Sequence, residues 1–474
     1  MASRLAGVKE LYENRIRRAE DLENRFGYLK DYAAAFKVEP SEEPTSATKS
    51  LECAKKVRPL VKEMYARAHE AKKQGRPVAY CMVMSQYDEI LRAMDVTPIW
   101  TENYGGLCAT KRDADRFLAK ADAEGYSMFL CSYATTGIGF DALRRELEEI
   151  PADAPDGGMA EPDMLLGSSA MCDPRYKWYQ ALGRYKDTPI YNIDVVIPPV
   201  DAELGEIRDY YIKYQVEEIK GLVAFLEKAT KKKMDWERLN EIIDLSEETN
   251  RLWRECHQLR KAIPCPMPAE DHFRTFVPGR FWLGTQEARD FYREMRDELK
   301  YRVENKIGVV PQEKYRLLWG GGLPPWHTMK LFNYFGALGA VFVRETAYIP
   351  YESVDIPPLV THPLERLAYR AFGHFTYRYE GSRKGCGNPH VQLILDWLDE
   401  YKADGVVMHQ VMTCRATTIG QTHHRQLIQK YVKLPVMFLE SDIVDVRTYS
   451  EEQTRRQIDT FLELVDSYKT ANGC

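Results

Sequence analysis

An ungapped internal repeat is the feature of this sequence that most restricts its fold. The segment DMLLGSSAMC at 163–172 matches GVVMHQVMTC at 405–414, and each copy runs from the start of a predicted strand to a cysteine nine positions on. Each copy is followed by a helical pattern and then by an apolar run that begins Thr-Pro-Ile or Leu-Pro-Val. A structural unit that occurs twice predicts two related domains in one chain.

Short apolar runs alternate with helical patterns in both halves of the chain, as in RPVAYCMVM at 76–84. This alternation predicts an α/β fold with parallel, doubly wound sheets. Between the halves, apolar residues at three- and four-residue spacing predict helices. The resulting division is a helical N-terminal region (1–75, with one helix over 4–37), a first α/β domain (76–200), a helical segment (201–310), a second α/β domain (311–445) and a C-terminal helix (446–474).

The charge balance argues against two classes of partner. The 474 residues carry a net charge of −5, so no excess of basic side chains is available for nucleic acid or an anionic membrane. The first twenty residues are charged and lack the apolar core of a signal peptide, and no apolar run is long enough for a membrane helix. We therefore expect a soluble, cytoplasmic protein without a nucleic-acid or membrane partner.

Ten cysteines are present without a CxxC pair, so a metal site would have to draw its ligands from distant segments. Three of them are expected at strand-to-loop junctions: Cys131 at the end of a predicted strand in 126–133, and Cys172 and Cys414 at the ends of the two repeats. Ligands bind beyond the carboxyl ends of strands in parallel sheets, which favours these three. The other seven are predicted in the core (Cys53, Cys81, Cys256), in loops (Cys108, Cys265, Cys386) or at the terminus (Cys474).

Two chemistries are open to these cysteines. Cys414 could be a nucleophile activated by a base, for which the candidates are His409, His423 and His424. That interpretation leaves Cys172, the repeat partner of Cys414, unexplained. Alternatively, Cys131, Cys172 and Cys414 could bind three irons of a [4Fe–4S] cluster and leave the fourth iron open for water, hydroxide or a substrate oxygen.

Five segments resemble one known superfamily, that of the 2-hydroxyacyl-CoA dehydratases and the class I (ATP-dependent) benzoyl-CoA reductases. The resemblance covers roughly residues 75–445 and keeps the order of the motifs. Three segments are similar to its cysteine motifs and two to its active-site loops: FLCSY (129–133), MCDPRYKWYQ (171–180), VVMHQVMTC (406–414), WTENYGGLCATKRDADRF (100–117) and GGGLPPWHTMKLFNY (320–334).

The resemblance implies two flavodoxin-like domains and a [4Fe–4S] cluster on the three cysteines. It also implies a homologous cluster-bearing partner subunit and separate ATP-hydrolysing activator subunits with their own [4Fe–4S] cluster. The chain agrees with that division, because GGGLPPWH lacks the lysine and hydroxyl residue of a P-loop.

Within the two loops, the resemblance implies a site for an acyl-CoA or aryl-CoA substrate. Trp326 would form a wall, and Asn103 with the backbone at Gly321 and Gly322 would contact the thioester. The acids would be His327 and His409, with Glu102 as a proton relay or orienting group; the alternative for each is a buried, hydrogen-bonded histidine or a salt-bridged glutamate.

Two reactions share this scaffold. The segment LPPWHTMKLFNYFGALGAVFVRET (323–346) and the aromatic content favour the reductase, with this chain as its iron–sulfur subunit. The first alternative is a subunit of a 2-hydroxyacyl-CoA dehydratase, which eliminates water through a ketyl radical. The second is a double-cubane-cluster electron-transfer protein, for which Cys108 or Cys386 would have to supply further thiolates.

Overall fold

The computed structural model describes residue 17 and residues 20–27, 48–85 and 87–472. Most of the helix predicted over 4–37, together with Cys474, lies outside the described residues. Before the first sheet, the described part of the N-terminal region forms a short 3₁₀ turn, Cys53–Lys56, followed by helix α1, Val57–Lys73.

The first sheet has four parallel strands in the order β2-β1-β3-β4. These are β1 (Val78–Cys81), β2 (Thr97–Trp100), β3 (Met164–Ser168) and β4 (Ile190–Ile193). Its further helices are α2 (Asp88–Ala93), α3 (Thr101–Thr110), α4 (Asp115–Ala123), α5 (Ser132–Leu147) and α6 (Pro174–Leu182). Every residue of β1 and β3 is buried, as expected for parallel strands covered on both faces, and for this reason they read as continuous apolar runs.

Four helices follow the first sheet, as the spacing of apolar residues predicts. They are α7 (Leu204–Thr230), α8 (Trp236–Leu259), α9 (Ala269–Phe281) and α10 (Gln286–Glu304). Two of them begin with a side-chain cap: Asp235 accepts from the Arg238 N–H at 3.0 Å, and Thr285 accepts from the Ala288 N–H at 3.2 Å. Such caps satisfy backbone donors that have no partner within the helix.

The second sheet also has four parallel strands, in the order β6-β5-β7-β8. These are β5 (Tyr315–Trp319), β6 (Ala340–Glu345), β7 (Gly405–Val411) and β8 (Val436–Ser441). Its helices are α11 (Lys330–Ala337), α12 (Pro363–Thr376), α13 (Tyr379–Lys384), α14 (Pro389–Glu400), α15 (Arg415–Thr418), α16 (Gln421–Val432) and the C-terminal α17 (Glu451–Asn472).

The two sheets repeat one topology. Both follow the flavodoxin-like order in which the second strand lies outside the first and the third lies on its other side. Strands β3 and β7, which carry the sequence repeat, occupy the same place in that order. The predicted fold class, two parallel-sheet α/β domains with intervening helices, is therefore confirmed. No helix within the described ranges combines the length and apolar character needed to cross a membrane.

Two local predictions are wrong. Residues 126–131 form a loop instead of a strand, and the apolar side chains of Met128, Phe129 and Leu130 are exposed to solvent. A short apolar run does not distinguish a buried strand from an apolar surface loop. Cys108 lies in helix α3 instead of a glycine-rich loop, because Gly105 lets that helix pack closely on Tyr133: a Cβ at Gly105 would lie 2.9 Å from the Tyr133 ring.

Candidate functional site

The sequence repeat places Cys172 and Cys414 in equivalent positions beyond β3 and β7. Cys172 lies in the loop before α6, directly after Met171, whose φ of 77° is rare for a residue with a side chain. Cys414 caps the N-terminus of α15, and its carbonyl accepts from the Thr418 hydroxyl. Both cysteines are half-buried. The carboxyl ends of the two sheets thus each present one thiol.

The third cysteine, Cys131, reaches the same region from the start of α5. The next residue, Ser132, donates its N–H to the Thr413 hydroxyl at 3.2 Å, and Thr413 in turn donates to the Asp442 carboxylate. Thr413 precedes Cys414, so this hydrogen bond joins the two cysteine segments across the domain boundary. The structure therefore brings together the two sheets and the three cysteine segments that the sequence singles out.

The three thiols also act on one another electrostatically. Burial raises the pKa of Cys131 well above its ordinary value, and negative charge on Cys414 and Cys172 raises it further. Burial followed by the Glu102 carboxylate raises the pKa of Cys172 to about 11. A nucleophilic cysteine needs a depressed pKa, so Cys131 and Cys172 are poor nucleophiles.

The three thiols are soft donors from separate segments, the kind that an iron–sulfur cluster takes, and the cluster itself stays a prediction. In the part of the chain that the structure describes, no three His, Cys, Asp or Glu side chains converge closely enough to hold one metal ion. A single zinc needs its sulfur ligands about 2.3 Å away, whereas a cluster takes each thiolate at a different iron and spaces them more widely. Three soft sulfur donors from three segments suit that arrangement.

The nucleophile alternative lacks a free base at His409. This buried ring hydrogen-bonds the Leu323 carbonyl through Nδ1 at 2.7 Å and the Ser441 hydroxyl through Nε2 at 2.8 Å. Since a carbonyl only accepts, Nδ1 carries the proton and Nε2 accepts from Ser441. His423 is exposed, and the His424 ring packs 4.9 Å from that of His390. His409 therefore joins the glycine-rich loop after β5 to the end of β8.

Because burial lowers the pKa of His409 to about 4, we expect a pH-dependent contribution to stability. The unfolded chain takes up the proton near pH 6.5, while the folded chain resists it until about pH 4. The contribution is complete above pH 6.5 and is lost as the pH falls toward 4. Between pH 7 and pH 5 the loss is about 2 kcal/mol.

Urea unfolding at pH 7 and pH 5 measures this contribution. The His409→Gln side chain keeps a donor and an acceptor but does not titrate. From pH 7 to pH 5, the free energy of unfolding of this variant is expected to fall by about 2 kcal/mol less than that of the wild type. Equal losses in the two proteins would contradict the neutral, buried assignment.

His327 keeps one ring nitrogen free. It lies in a 3₁₀ turn, Trp326–Thr328, and its Nε2–H donates to the Asp442 carbonyl at 2.9 Å. The buried Nδ1 has no hydrogen-bond partner among the described residues, and burial lowers the pKa of the ring. Asp442 also accepts a hydrogen bond from Thr413, the residue before Cys414. Asp442 therefore links His327 to the segment that carries Cys414.

Glu102 lies in the first turn of α3 and faces the same region. One carboxylate oxygen accepts from the Val83 N–H at 2.9 Å, and the other lies 3.4 Å from Arg175 Nε. Its neighbour Asn103 accepts from the Tyr65 hydroxyl at 2.9 Å. Glu345, the last residue of the corresponding strand β6 in the second sheet, is instead fully buried in an ion pair with Arg260. Only the first domain's glutamate is therefore left beside the cysteines.

Gly321 and Gly322 bring the loop after β5 against β7 and α15. A Cβ at Gly321 would lie 1.8 Å from the His409 backbone nitrogen. Gly322 has a φ of +78°, and a Cβ there would lie 2.9 Å from Thr417. Both glycines are thus required by close backbone packing next to Cys414, and their predicted contact with a thioester stays a prediction.

A group of aromatic side chains lies beside the cysteines. Trp326 donates its Nε1–H to the Tyr133 hydroxyl, which lies 3.3 Å from the Tyr348 hydroxyl. Tyr348 stacks on Phe276 with ring centroids 4.0 Å apart. Negative charge on Glu102 and Cys414 helps to raise the pKa of Tyr348, after burial. We call these four residues the aromatic wall.

Sequence reasoning identified only Trp326 of this wall. Tyr133 could have been found from its position two residues after Cys131, within the FLCSY motif. Tyr348 carried no signal, because it reaches the site from the loop after β6. Arg175 was also missed, although it stands three residues after Cys172 in a quoted motif.

Comparisons with known proteins identify the family of this chain. The family model described as "2-hydroxyglutaryl-CoA dehydratase, D-component" matches residues 84–465. That range contains seven of the eight strands, the three cysteines and the aromatic wall. The structure defines a two-domain α/β protein, and the chain belongs to this dehydratase family.

Individual relatives include both dehydratase and reductase subunits. The chain is 27% identical over 421 residues to the (R)-2-hydroxyisocaproyl-CoA dehydratase alpha subunit of Clostridioides difficile, covering 87% of this chain and 96% of the relative. It is 25% identical to the (R)-phenyllactyl-CoA dehydratase alpha subunit of Clostridium sporogenes, with 85% and 93% covered. Identity to a benzoyl-CoA reductase subunit of Thauera aromatica is also 25%, with 88% and 95% covered.

Proposed function

We propose that this chain is the iron–sulfur subunit of an ATP-dependent aryl-CoA reductase of the benzoyl-CoA type. The observation that carries the proposal is the aromatic wall beside the three cysteine segments. Flat aromatic side chains recognise a flat substrate ring through stacked or edge-to-face contacts. The relative named as a benzoyl-CoA reductase subunit, matched over nearly its whole length, supports the same function.

The three thiols, Cys131, Cys172 and Cys414, would hold a [4Fe–4S] cluster, which supplies low-potential electrons one at a time. Reduction of the aromatic ring takes up two electrons and two protons and breaks no bond to the thioester. The electrons would come from ATP-hydrolysing [4Fe–4S] activator subunits, because this chain has no P-loop. A homologous cluster-bearing subunit would complete the assembly; the relatives in the comparison are themselves named as subunits.

The chain's own side chains would orient the ring and supply protons. Trp326 is held by Tyr133 and so presents a fixed face. His327 is anchored through Nε2 and has Nδ1 free; since its pKa is lowered, a proton taken up at Nδ1 would be given up readily. Glu102 would orient a group near Cys172 through the oxygen that faces Arg175. His409, with both nitrogens bonded, would act by holding the loop that carries Trp326.

A 2-hydroxyacyl-CoA dehydratase subunit is the second candidate. Four relatives are named as dehydratase alpha subunits, and the name of one of them includes a phenyllactyl group, which carries a phenyl ring. An aromatic wall would suit that substrate as well. The double-cubane alternative has less support, because Cys108 is buried in α3 and the Cys386 thiol donates to the Asn388 carbonyl at 3.3 Å.

A paired anaerobic assay with activator and ATP distinguishes the first two. We expect consumption of an aryl-CoA with formation of the two-electron-reduced ring, and no turnover of a 2-hydroxyacyl-CoA. Dehydration of the 2-hydroxyacyl-CoA without aryl-CoA consumption would select the dehydratase.

The aromatic wall is tested in the same assay by Trp326→Leu. Loss of one stacking contact, worth about 0.5–1.5 kcal/mol, predicts a KM for aryl-CoA raised roughly 2- to 10-fold. Trp236→Leu is the matched control, because Trp236 is exposed at the start of α8. Equal KM values for all three proteins would show that the wall does not bind the substrate.

A further inference from the structure

The buried guanidinium of Arg175 lies at the centre of the carboxyl end of the first sheet. Its Nη1 donates to the Ala170 carbonyl at 2.9 Å, and its Nη2 donates to the Val83 carbonyl and, at 2.9 Å, to the Ser85 hydroxyl. These acceptors belong to the loops after β3 and β1. The side chain is 5% exposed. Its hydrogen bonds to both loops fix its position.

Arg175 is also held beside the loop that carries Cys172. It stands in the first turn of α6, three residues after Cys172. Its Nη1 and the Cys172 N–H both donate to the Ala170 carbonyl, at 2.9 and 3.1 Å. The position three residues after the repeat cysteine, Cys414, carries Thr417 instead. The first domain thus has a buried cation at this position and the second does not.

We infer that Arg175 is a positioning residue that sets the reduction potential of the cluster held by Cys131, Cys172 and Cys414. The inference rests on the proposed function. A fixed positive charge in a site of low dielectric favours the state that carries one more electron. Glu102 opposes it from 3.4 Å away. Together, the charges of Arg175 and Glu102 beside Cys172 would set the potential at which the cluster accepts an electron from the donor.

The opposing charges predict shifts of opposite sign. Arg175→Gln removes the positive charge and should make the cluster harder to reduce, while Glu102→Gln removes the negative charge and should make it easier. At a fixed ratio of reduced to oxidised electron donor, a tenfold change in the ratio of reduced to oxidised cluster corresponds to a shift of about 59 mV in the reduction potential of a one-electron couple. We expect the reduction potential of the Arg175→Gln variant to be lower than that of the wild type by about this amount. The potential of the Arg175→Lys variant should be close to that of the wild type.

Arg144→Gln is the matched control. Arg144 is a buried arginine of the same domain that binds Asp141 and the Met159 carbonyl. It lies twelve residues beyond Ser132 on α5, a distance of about 18 Å along the helix. Its removal should leave the potential unchanged.

The experiment is a redox titration of the full chain, assembled with its partner subunit, in which the reduced cluster is followed by electron paramagnetic resonance and iron is counted in each variant. Equal potentials in the wild type and Arg175→Gln, both with full iron, would overturn the inference and leave the proposed function intact. Absence of iron from the wild type would overturn both. Equal loss of iron from Arg175→Gln and Arg175→Lys would show that Arg175 only holds the loop, which also overturns the inference.

Discussion

Replacing Cys131, Cys172 or Cys414 by serine is expected to remove most of the bound iron, because each thiol would supply one of only three protein ligands. A serine hydroxyl is a harder and far less acidic donor than a thiol, so it does not replace a thiolate on iron. The three residues come from separate segments, two of which are joined by the hydrogen bond between Ser132 and Thr413. Each substitution should therefore also abolish the reaction.

Cys256→Ser is the matched control for these three variants. Cys256 is buried in α8, where its thiol lies 3.8 Å from the Tyr292 carbonyl. Burying a hydroxyl there can cost stability, but it should leave the iron content unchanged. Iron analysis and the visible absorbance of each purified protein make the comparison. Full iron in all three site variants would refute the assignment of ligands.

Gly321→Ala is expected to have the second largest effect, because no side chain fits between the loop after β5 and strand β7. The new methyl group would lie 1.8 Å from the His409 nitrogen, and both partners are backbone, so neither can rotate away. Overpacking of this kind costs about 3 kcal/mol. The loop also carries Trp326, so the displaced loop should raise KM for the CoA substrate in addition to lowering stability.

Gly381→Ala is the control for that substitution. Gly381 lies in α13, it is exposed, and a Cβ there would meet no atom within 4 Å. Alanine is favoured over glycine in a helix by about 1 kcal/mol, so this variant should be at least as stable as the wild type. Urea unfolding measures the free energy of unfolding of both variants. A Gly321→Ala protein as stable as Gly381→Ala would show that the loop can move without cost.

The sequence predicted the architecture because its strongest signal is local and occurs twice. The match between 163–172 and 405–414 predicted equivalent strands in two related domains, and β3 and β7 occupy the same position in their sheets. Cys131 was predicted at the end of a strand that the structure does not contain. The loop before Cys131 carries exposed apolar side chains and has the composition of a buried strand. Only tertiary contacts distinguish such a loop from a strand.

Side-chain roles were harder to predict, because they depend on partners that are distant in the chain. Glu102 and Glu345 lie at the ends of equivalent strands, yet Glu102 lies beside Arg175 and Glu345 is enclosed with Arg260, which comes from the intervening helices. His409 was predicted as an acid, but its two ring nitrogens are bonded to the Leu323 carbonyl and the Ser441 hydroxyl, which lie far from it in the chain. Tyr348 reaches the site through a loop that carries no recognisable motif.

The most direct test of the account is the amount of iron and acid-labile sulfide in the chain purified without oxygen. Three cysteine ligands at the carboxyl ends of two sheets predict about four iron and about four sulfide per chain, the composition of one [4Fe–4S] cluster. A chain that binds neither iron nor sulfide under these conditions, or that holds about eight of each, would contradict the account.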